Sequence, residues 1–483
     1  MKLWQRRVLL TCCIFIFVTI APLLVFYATG YRFDLKNSEI RFVGMIDIAS
    51  TPKDADIFLD DELIEKTPYQ IRNLFPRSYT LKLQKEGYHN WEKNLPVESK
   101  QVTWVKNARL FLTNPPQKEV LEKPVQDFIP LSQNEKVAYT IKNENHLPEL
   151  WLFDLDSQDN KKLFTTALPE KPTEEAKEEK EASYNIELKD LVASDNSAAL
   201  LFTLKEDDAS PKYYYQSIKN EESILLSDFI QRNINQIDFC PNEDQRILYL
   251  SDNSLYEFDI KEKQENRIAE DVLAFKTSSQ NSYFIKKESG ALSLYEKSKN
   301  GTLNFDKSSH LMESNLPFEG LKDMEVGSGN NLSIIDDKKN LYLFRSENDR
   351  LEKIADNVTH MKWGARGEKI LFRNHSELSF YEVSPLSEQS FKQDYRVNQS
   401  NLITRYGREI TAFGWFPDEE WVWVSFDNQF KIIELDERGG RNHFDFLSDR
   451  SIDPEVFFGK KGEQMFYQEE DANRIMKMTL FEK

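Results

Sequence analysis

The feature that most constrains this fold is a pair of short apolar stretches that recurs eight times. The first member reads Val137-Ala138-Tyr139, Leu200-Leu201-Phe202, Ile247-Leu248-Tyr249, Tyr283-Phe284-Ile285, Leu332-Ser333-Ile334-Ile335, Ile370-Leu371-Phe372, Trp421-Val422-Trp423-Val424 and Met465-Phe466-Tyr467. Each is followed by a partner, from Leu150-Trp151-Leu152-Phe153 and Tyr213-Tyr214-Tyr215 through Leu341-Tyr342-Leu343-Phe344 to Ile475-Met476-Lys477-Met478. Strands apolar at nearly every residue suit sheets covered on both faces. A single four-stranded sheet cannot cover both of its own faces, whereas sheets stacked around a ring cover one another and protect their edges. The units recur at about 35–60 residues, near the length of a propeller blade. The expectation is a mainly β chain in which 120–483 form a seven- or eight-bladed β-propeller; a two-part β structure is the alternative. Two stretches interrupt the pattern. The mixed-charge run Glu170 to Glu181 reads as a solvated loop insertion at 168–184, and Ser384 to Leu402 as a long polar connection.

Ahead of these units, Val8 to Phe26 holds no charged residue. A helix of that length, at about 1.5 Å per residue, spans roughly the hydrocarbon core of a bilayer. The apolar residues Leu9, Leu10, Ile14, Phe15, Phe17, Leu23, Leu24 and Phe26 would face lipid. Lys2, Arg6 and Arg7 precede them with no acidic residue, which by the positive-inside rule keeps residues 1–7 in the cytoplasm. The reading is a single-pass signal-anchor helix over 8–29, with Tyr27 and Tyr31 as interfacial aromatics and the rest of the chain extracytoplasmic. A cleaved signal peptide competes with it, since Ala28-Thr29-Gly30 offers small residues, although the apolar run is longer than usual for one. Both readings export the remainder.

Between the anchor and the repeats, residues 42–112 alternate short strand-like runs with turns and read as a compact β-sandwich of five or six strands. Thr51-Pro52-Lys53-Asp54-Ala55, Leu59-Asp60-Asp61, Thr67-Pro68 and Lys85-Glu86-Gly87-Tyr88-His89-Asn90-Trp91 follow in that order. This series resembles the PEGA domain, with Pro52, Ala55, Thr67, Pro68, Gly87 and Tyr88 at its motif positions. Asp54 and Asp61 stand where that family usually has glycine, and aspartate tolerates left-handed turns better than most residues. The resemblance implies an extracytoplasmic β-sandwich common in cell-surface proteins and brings no catalytic residue with it. Tyr88 and Trp91 are read as core packing, with carbohydrate stacking as the alternative. Asn114-Pro115-Pro116 reads as a linker.

Within the repeats, Cys240-Pro241-Asn242-Glu243 and Phe416-Pro417-Asp418-Glu419 each precede a strand. They resemble the turn of WD40-like repeats in periplasmic propellers, and Trp151-Leu152-Phe153-Asp154-Leu155-Asp156 resembles that family's next strand. Only 16 glycines occur in the chain, fewer than such repeats usually carry.

Charge is unevenly spread. The first 112 residues hold 16 Lys and Arg against 12 Asp and Glu, leaving 47 against 69 for the remainder. So acidic a surface repels phosphate backbones, which argues against nucleic acid as a partner. Cys12 and Cys13 lie in the apolar segment and Cys240 stands alone, so neither a disulfide nor a cysteine zinc site is expected in the exported part. The six histidines are scattered, Gly327-Ser328-Gly329 lacks the strand–turn–helix context of a nucleotide loop, and Asp154, Asp156 and Asp159 lack the glycine and distal glutamate of a calcium loop. No catalytic, cofactor or metal residues are assigned. The expected function is a non-enzymatic, membrane-anchored binding or scaffold protein of the cell envelope, its propeller a platform for an envelope protein or a glycan. A glycan-processing enzyme on a propeller scaffold is the alternative.

Overall fold

The computed structural model describes residues 3–28, 30–34, 39–121, 124–131, 136–166, 186–206, 209–298, 309–310, 316–327, 330–347, 350–383, 398–427, 429–447, 452–469 and 473–482. The loop insertion 168–184, most of 384–402 and Lys2 lie outside them.

Each of the eight apolar pairs forms the two middle strands of a four-stranded antiparallel sheet. Blade 1 runs from the inside outward through Val125–Leu131, Lys136–Lys142, Pro148–Asp154 and Asn160–Thr165. Blades 2 to 7 follow in chain order within 186–225, 236–269, 272–310, 321–355, 360–405 and 412–447. Blade 8 takes its inner three strands, Ile452–Gly459, Gln464–Glu469 and Arg474–Thr479, from the end of the chain. Its outer strand is Gln117–Glu119, paired through Gln117 with Met478 and Glu119 with Met476. The propeller therefore has eight blades, and its last one is built from both ends of the propeller sequence.

The packing follows the sheets. Every pair of neighbouring blades shares an apolar cluster. Leu150 and Leu152 of blade 1 meet Leu200 and Phe202 of blade 2, and Tyr283 and Leu294 of blade 4 meet Ile334 and Phe344 of blade 5. The ring closes where Val137 and Tyr139 of blade 1 meet Phe457 and Phe466 of blade 8. At this join Gln468 Nε2 also donates to the Val125 carbonyl at 2.8 Å. The middle strands are buried throughout, as in Trp421–Phe426, whereas an outer strand such as Gln264–Ala269 is mostly exposed. The scarcity of glycine is met by other residues. Left-handed backbone falls on 24 non-glycine positions among the described residues, 14 of them Asn or Asp, including Asn242 in the Cys240 turn.

The sandwich has seven strands rather than five or six. One sheet orders Tyr69–Leu74, Gly44–Thr51 and Val102–Arg109, the last two parallel; the other orders Glu62–Lys66, Asp56–Leu59, Arg77–Gln84 and Trp91–Val97. Trp91–Val97 is an edge strand, where Pro96 removes no hydrogen bond the sheet needs. The sandwich is not tethered by a linker. The Leu112 amide donates to Leu480, Thr113 to Gly87, and the Thr479 amide to Pro116. Sandwich residues Ile46, Leu83, Trp91 and Leu95 join Phe416, Trp421, Met465 and Phe481 of blades 7 and 8 in one apolar core. Phe111, fully buried, lies at its centre, edge-on to Trp421 at 5.4 Å, to Phe446 at 5.4 Å and to Phe416 at 6.0 Å. Phe111→Ala should therefore destabilise the detergent-solubilised protein by about 3–5 kcal/mol. In urea unfolding it should separate the sandwich and propeller transitions.

Candidate functional site

The helix Leu3–Ala28 carries apolar residues around its whole circumference. Leu9, Leu10, Ile14, Phe15, Phe17, Leu23, Leu24 and Phe26 are all exposed, Phe17 by 71%, and of these only Phe26, beside Tyr31, meets a ring from beyond the helix. Arg6 and Arg7 lie in its first turns. The helix is long and apolar enough to cross a membrane. Thr19 turns its hydroxyl back onto the Phe15 carbonyl at 2.8 Å, and Thr11 onto Arg7 at 2.9 Å, so both side chains satisfy themselves within the helix.

In the sandwich the motif residues build turns. Thr51-Pro52 and Thr67-Pro68 are both cis. The buried Thr67 hydroxyl accepts the Ala55 amide at 3.1 Å and pairs with Ser50 Oγ at 2.6 Å, tying the two turns together. Asp54 and Asp61 adopt φ of 60° and 67°, and Gly87 +80°. Tyr88 is half-buried, and its hydroxyl accepts the Glu482 amide at 3.4 Å. Trp91 is 1% exposed. It faces the propeller rather than solvent, which leaves no room for a stacked sugar.

Strand Trp91–Val97 alternates buried and exposed residues, and its register turns Lys93 inward with Trp91 and Leu95. The Lys93 ammonium has no exposed surface. It lies 3.0 Å from Glu434 Oε2 and 3.6 Å from Asp436 Oδ2, and donates to the carbonyls of Asp436 and Gly440. Trp91 Nε1 donates to Glu434 Oε1 at 3.1 Å, and Arg438 bridges Asp436 at 2.8 Å to the Trp104 carbonyl at 3.0 Å. Burial raises the Glu434 carboxyl above its ordinary value against the pull of Lys93. Burial also pushes Asp436 upward, but Arg438 and Lys93 outweigh it and hold that carboxyl low. A second bridge joins Arg109 to Asp418 at 2.7 Å. Gly439 has φ +64°, and a Cβ there would stand 2.4 Å from the Asn94 carbonyl oxygen, so only glycine lets the two backbones approach so closely. Nothing in the local sequence marks these residues; an inward Lys in an apolar alternation was the one available sign. Lys93→Met should cost about 3–5 kcal/mol in urea unfolding by leaving the buried Glu434 carboxylate without a cation, Asp436 keeping Arg438. Adding Glu434→Gln to it should recover part of that loss.

The docked sandwich touches the loops joining first to second and third to fourth strands, namely 416–420, 435–442 and 460–463. The opposite face of the ring is where first strands begin and second strands end. There a cleft of about 510 Å³ opens between the inner strands of blades 3 to 5, lined by Gln236, Leu273, Lys276, Lys287, Lys322 and Asp323. Glu319 lines it as well, so three lysines stand beside two carboxylates on a body with a large acidic excess. Lys322 is anchored by donating to the Thr359 carbonyl at 2.7 Å. Deeper in the channel, Asp238 accepts the Thr277 hydroxyl at 2.7 Å, and burial raises its carboxyl. Burial lifts the Glu325 carboxyl to about 7, opposed by Lys276 and helped by Asp323. A folded-state value raised above the ordinary 4.5 means this group's contribution to stability is full below pH 4.5 and is lost as pH rises through about 7. Glu325→Gln should reduce the fall in thermal stability across that interval, leaving the slopes due to Glu382, which burial pushes to about 6, and to Asp238 and Glu434, which burial also raises.

Asp154 accepts the Asp156 and Ser157 amides, forming a turn. Among the described residues, no group of three His, Cys, Asp or Glu side chains gathers as a metal ion would require.

This architecture defines an eight-bladed β-propeller with a β-sandwich fixed on one face. Residues 43–109 match the family model of the PEGA domain, so the sandwich is a PEGA domain. Among solved structures, the chain is similar to the β-propeller domain of Myceliophteria thermophila Cps50 (Swd1), at 11% identity and a TM-score of 0.44, covering 75% of this chain and 99% of that one. It is similar to a eukaryotic initiation factor at 11% identity and a TM-score of 0.48, covering 81% of this chain and 91% of the other. An oligogalacturonate lyase in complex with manganese aligns at 12% identity and a TM-score of 0.41, over 77% of this chain and 99% of its own. Among curated proteins, none matches the chain.

Proposed function

We propose that the protein is a non-enzymatic binding or scaffold protein of the cell envelope, held by its N-terminal helix in the membrane with the sandwich and propeller outside the cytoplasm. The carrying observation is the division of the propeller into two faces. The face over blades 7 and 8 is occupied by the sandwich, through a buried ionic cluster and a shared core. The opposite face keeps the lysine-lined cleft open. A rigid connection from the anchor side to the ring holds that open face in a defined position, which suits presentation of a binding surface better than a tethered, tumbling domain would.

The partner read from this cleft is an envelope protein offering a carboxylate-bearing segment, or an anionic glycan. Three ammonium groups outnumber the carboxylates of Glu319 and Asp323 in the cleft, and this local positive excess within an acidic surface favours such ligands over cationic ones. The lysine side chains supply multiple donors without a fixed fork, which fits a ligand with several carboxylates better than a single planar one.

The test compares the wild-type protein with Lys276→Glu/Lys287→Glu/Lys322→Glu in gentle crosslinking from intact membranes, after protease shaving has established which side the propeller occupies. The wild type should yield a reproducible envelope protein or glycan partner, and the charge-reversed protein should recover at least tenfold less. Equal recovery would remove the cleft from the reading. A propeller protected from external protease in intact cells would remove the extracytoplasmic placement.

A further inference from the structure

A short β-hairpin separates the apolar helix from the sandwich, and neither end of it is loose. Strands Tyr31–Asp34 and Glu39–Phe42 pair with Tyr31 opposite Phe42, Arg32 opposite Arg41 and Phe33 opposite Ile40. At its base the Gly30 amide donates to Tyr27 at the end of the helix, and the Val43 amide donates to Gly30. On the sandwich side, the Lys100 amide donates to Val43. The hairpin is therefore joined by hydrogen bonds to the helix and to the sandwich.

Its register sorts the side chains. Partners across an antiparallel pair point to the same face, and alternate residues to opposite faces. One face thus carries Tyr31, Phe33, Ile40 and Phe42, and the other carries Arg32 and Arg41. Phe33 is 56% and Ile40 61% exposed, so the protein itself does not cover the outer half of the apolar face, while Tyr31 and Phe42 at its base are half-buried. A two-stranded hairpin is marginal in water by itself, and this one would expose its apolar face there.

The apolar face runs on from the membrane helix. Phe26 meets Tyr31 edge-on at 5.1 Å, and Tyr31 lies against Phe42 at 3.7 Å. Between the hairpin and the last helical turns lies an apolar recess of about 910 Å³, reaching from Phe42 along the helix to Phe17. Nine residues of helix separate Phe17 from Phe26, about 13 Å of rise. The recess therefore extends well alongside the segment that crosses the membrane. Lys100 stands at its rim, and Arg32 lies nearby on the hairpin's other face, against the end of the helix. Lys100 Nζ lies 3.4 Å over the Phe42 ring, and the Arg32 guanidinium 3.7 Å over Tyr27 while donating to the Tyr27 carbonyl at 2.7 Å.

We propose that this hairpin is a membrane-interface foot. Its Tyr31, Phe33, Ile40 and Phe42 face lies in the boundary between acyl chains and headgroups of the outer leaflet, and acyl chains fill the recess beside the helix. Arg32 and Lys100 sit at phosphate level, where aromatic and basic side chains are both favoured. The foot rests on the reading of the helix as a membrane anchor and adds a second contact to it. Two contacts on one rigid body set the sandwich's height and tilt above the bilayer, where a single helix would leave it free to swivel.

The test uses the full chain in phospholipid nanodiscs, in a Cys12→Ser/Cys13→Ser/Cys240→Ala background, with one spin label at a time through Phe33→Cys, Ile40→Cys, Leu23→Cys or Leu63→Cys. Accessibility to oxygen, which concentrates in lipid, is compared with that to a water-soluble nickel chelate. Labels at 33 and 40 should give an oxygen-to-nickel ratio several-fold above that at 63, on the exposed sandwich strand, and approaching that at 23. Ratios at 33 and 40 equal to that at 63, with 23 still lipid-like, would overturn the foot while leaving the anchor intact. A water-like ratio at 23 would overturn the anchor and the foot together.

Discussion

Burial of sheet against sheet around the ring is the interaction on which the rest of this structure depends. Each blade is too thin to have a core of its own, and its middle strands are apolar on both sides. Stability therefore resides in the interfaces between blades. Seven of these interfaces are closed by the two blades alone. The eighth, between blades 7 and 8, opens to admit the sandwich, so that Trp421 and Met465 of the ring share one core with Trp91 and Phe111. The sandwich completes a seam of the propeller and is not an appendage to it.

Apolar contact alone would not define how the sandwich sits there, because it is insensitive to small rotations. The buried charges are directional. Lys93 meets two carboxylates and two carbonyls from one strand end and the loop that follows it in blade 7, and Arg438 reaches back to the Trp104 carbonyl. A buried ionic cluster contributes little net stability over well-packed apolar residues, since desolvation offsets most of the attraction. Its weight lies in the penalty for every other arrangement, in which these charges would be buried without partners.

What could be read from the sequence follows the same physics. All eight middle-strand pairs were legible because burial on both faces leaves no polar alternation to obscure them. Outer strands such as Gln264–Ala269 were not, since exposure permits Gln, Glu, Asn and Arg in any order. The sandwich motif was legible through its turn residues, Thr67, Pro68 and Gly87, whose backbone demands are local. The edge strand Trp91–Val97 was hidden by Pro96, and the clamped Asn114-Pro115-Pro116 segment resembled a flexible joint. The ionic seam and the lysine cleft were illegible for a common reason. Lys93 and Asp436 are 343 residues apart, and Lys276, Lys287 and Lys322 become neighbours only when the blades close into a ring.

Because Gln117–Glu119 pairs with Arg474–Thr479, the order of synthesis acquires a meaning. The sandwich emerges early, and the surface that receives Trp91 emerges 343 residues later. Throughout that interval an indole, a lysine and a phenylalanine meant for a dry seam stand in water. A chain interrupted before blade 7 keeps them there, with an unclosed ring beside them. The seam is thus dry only once blade 7 has folded against the sandwich, so the first folded domain waits on nearly the last blade for the burial of its own side chains.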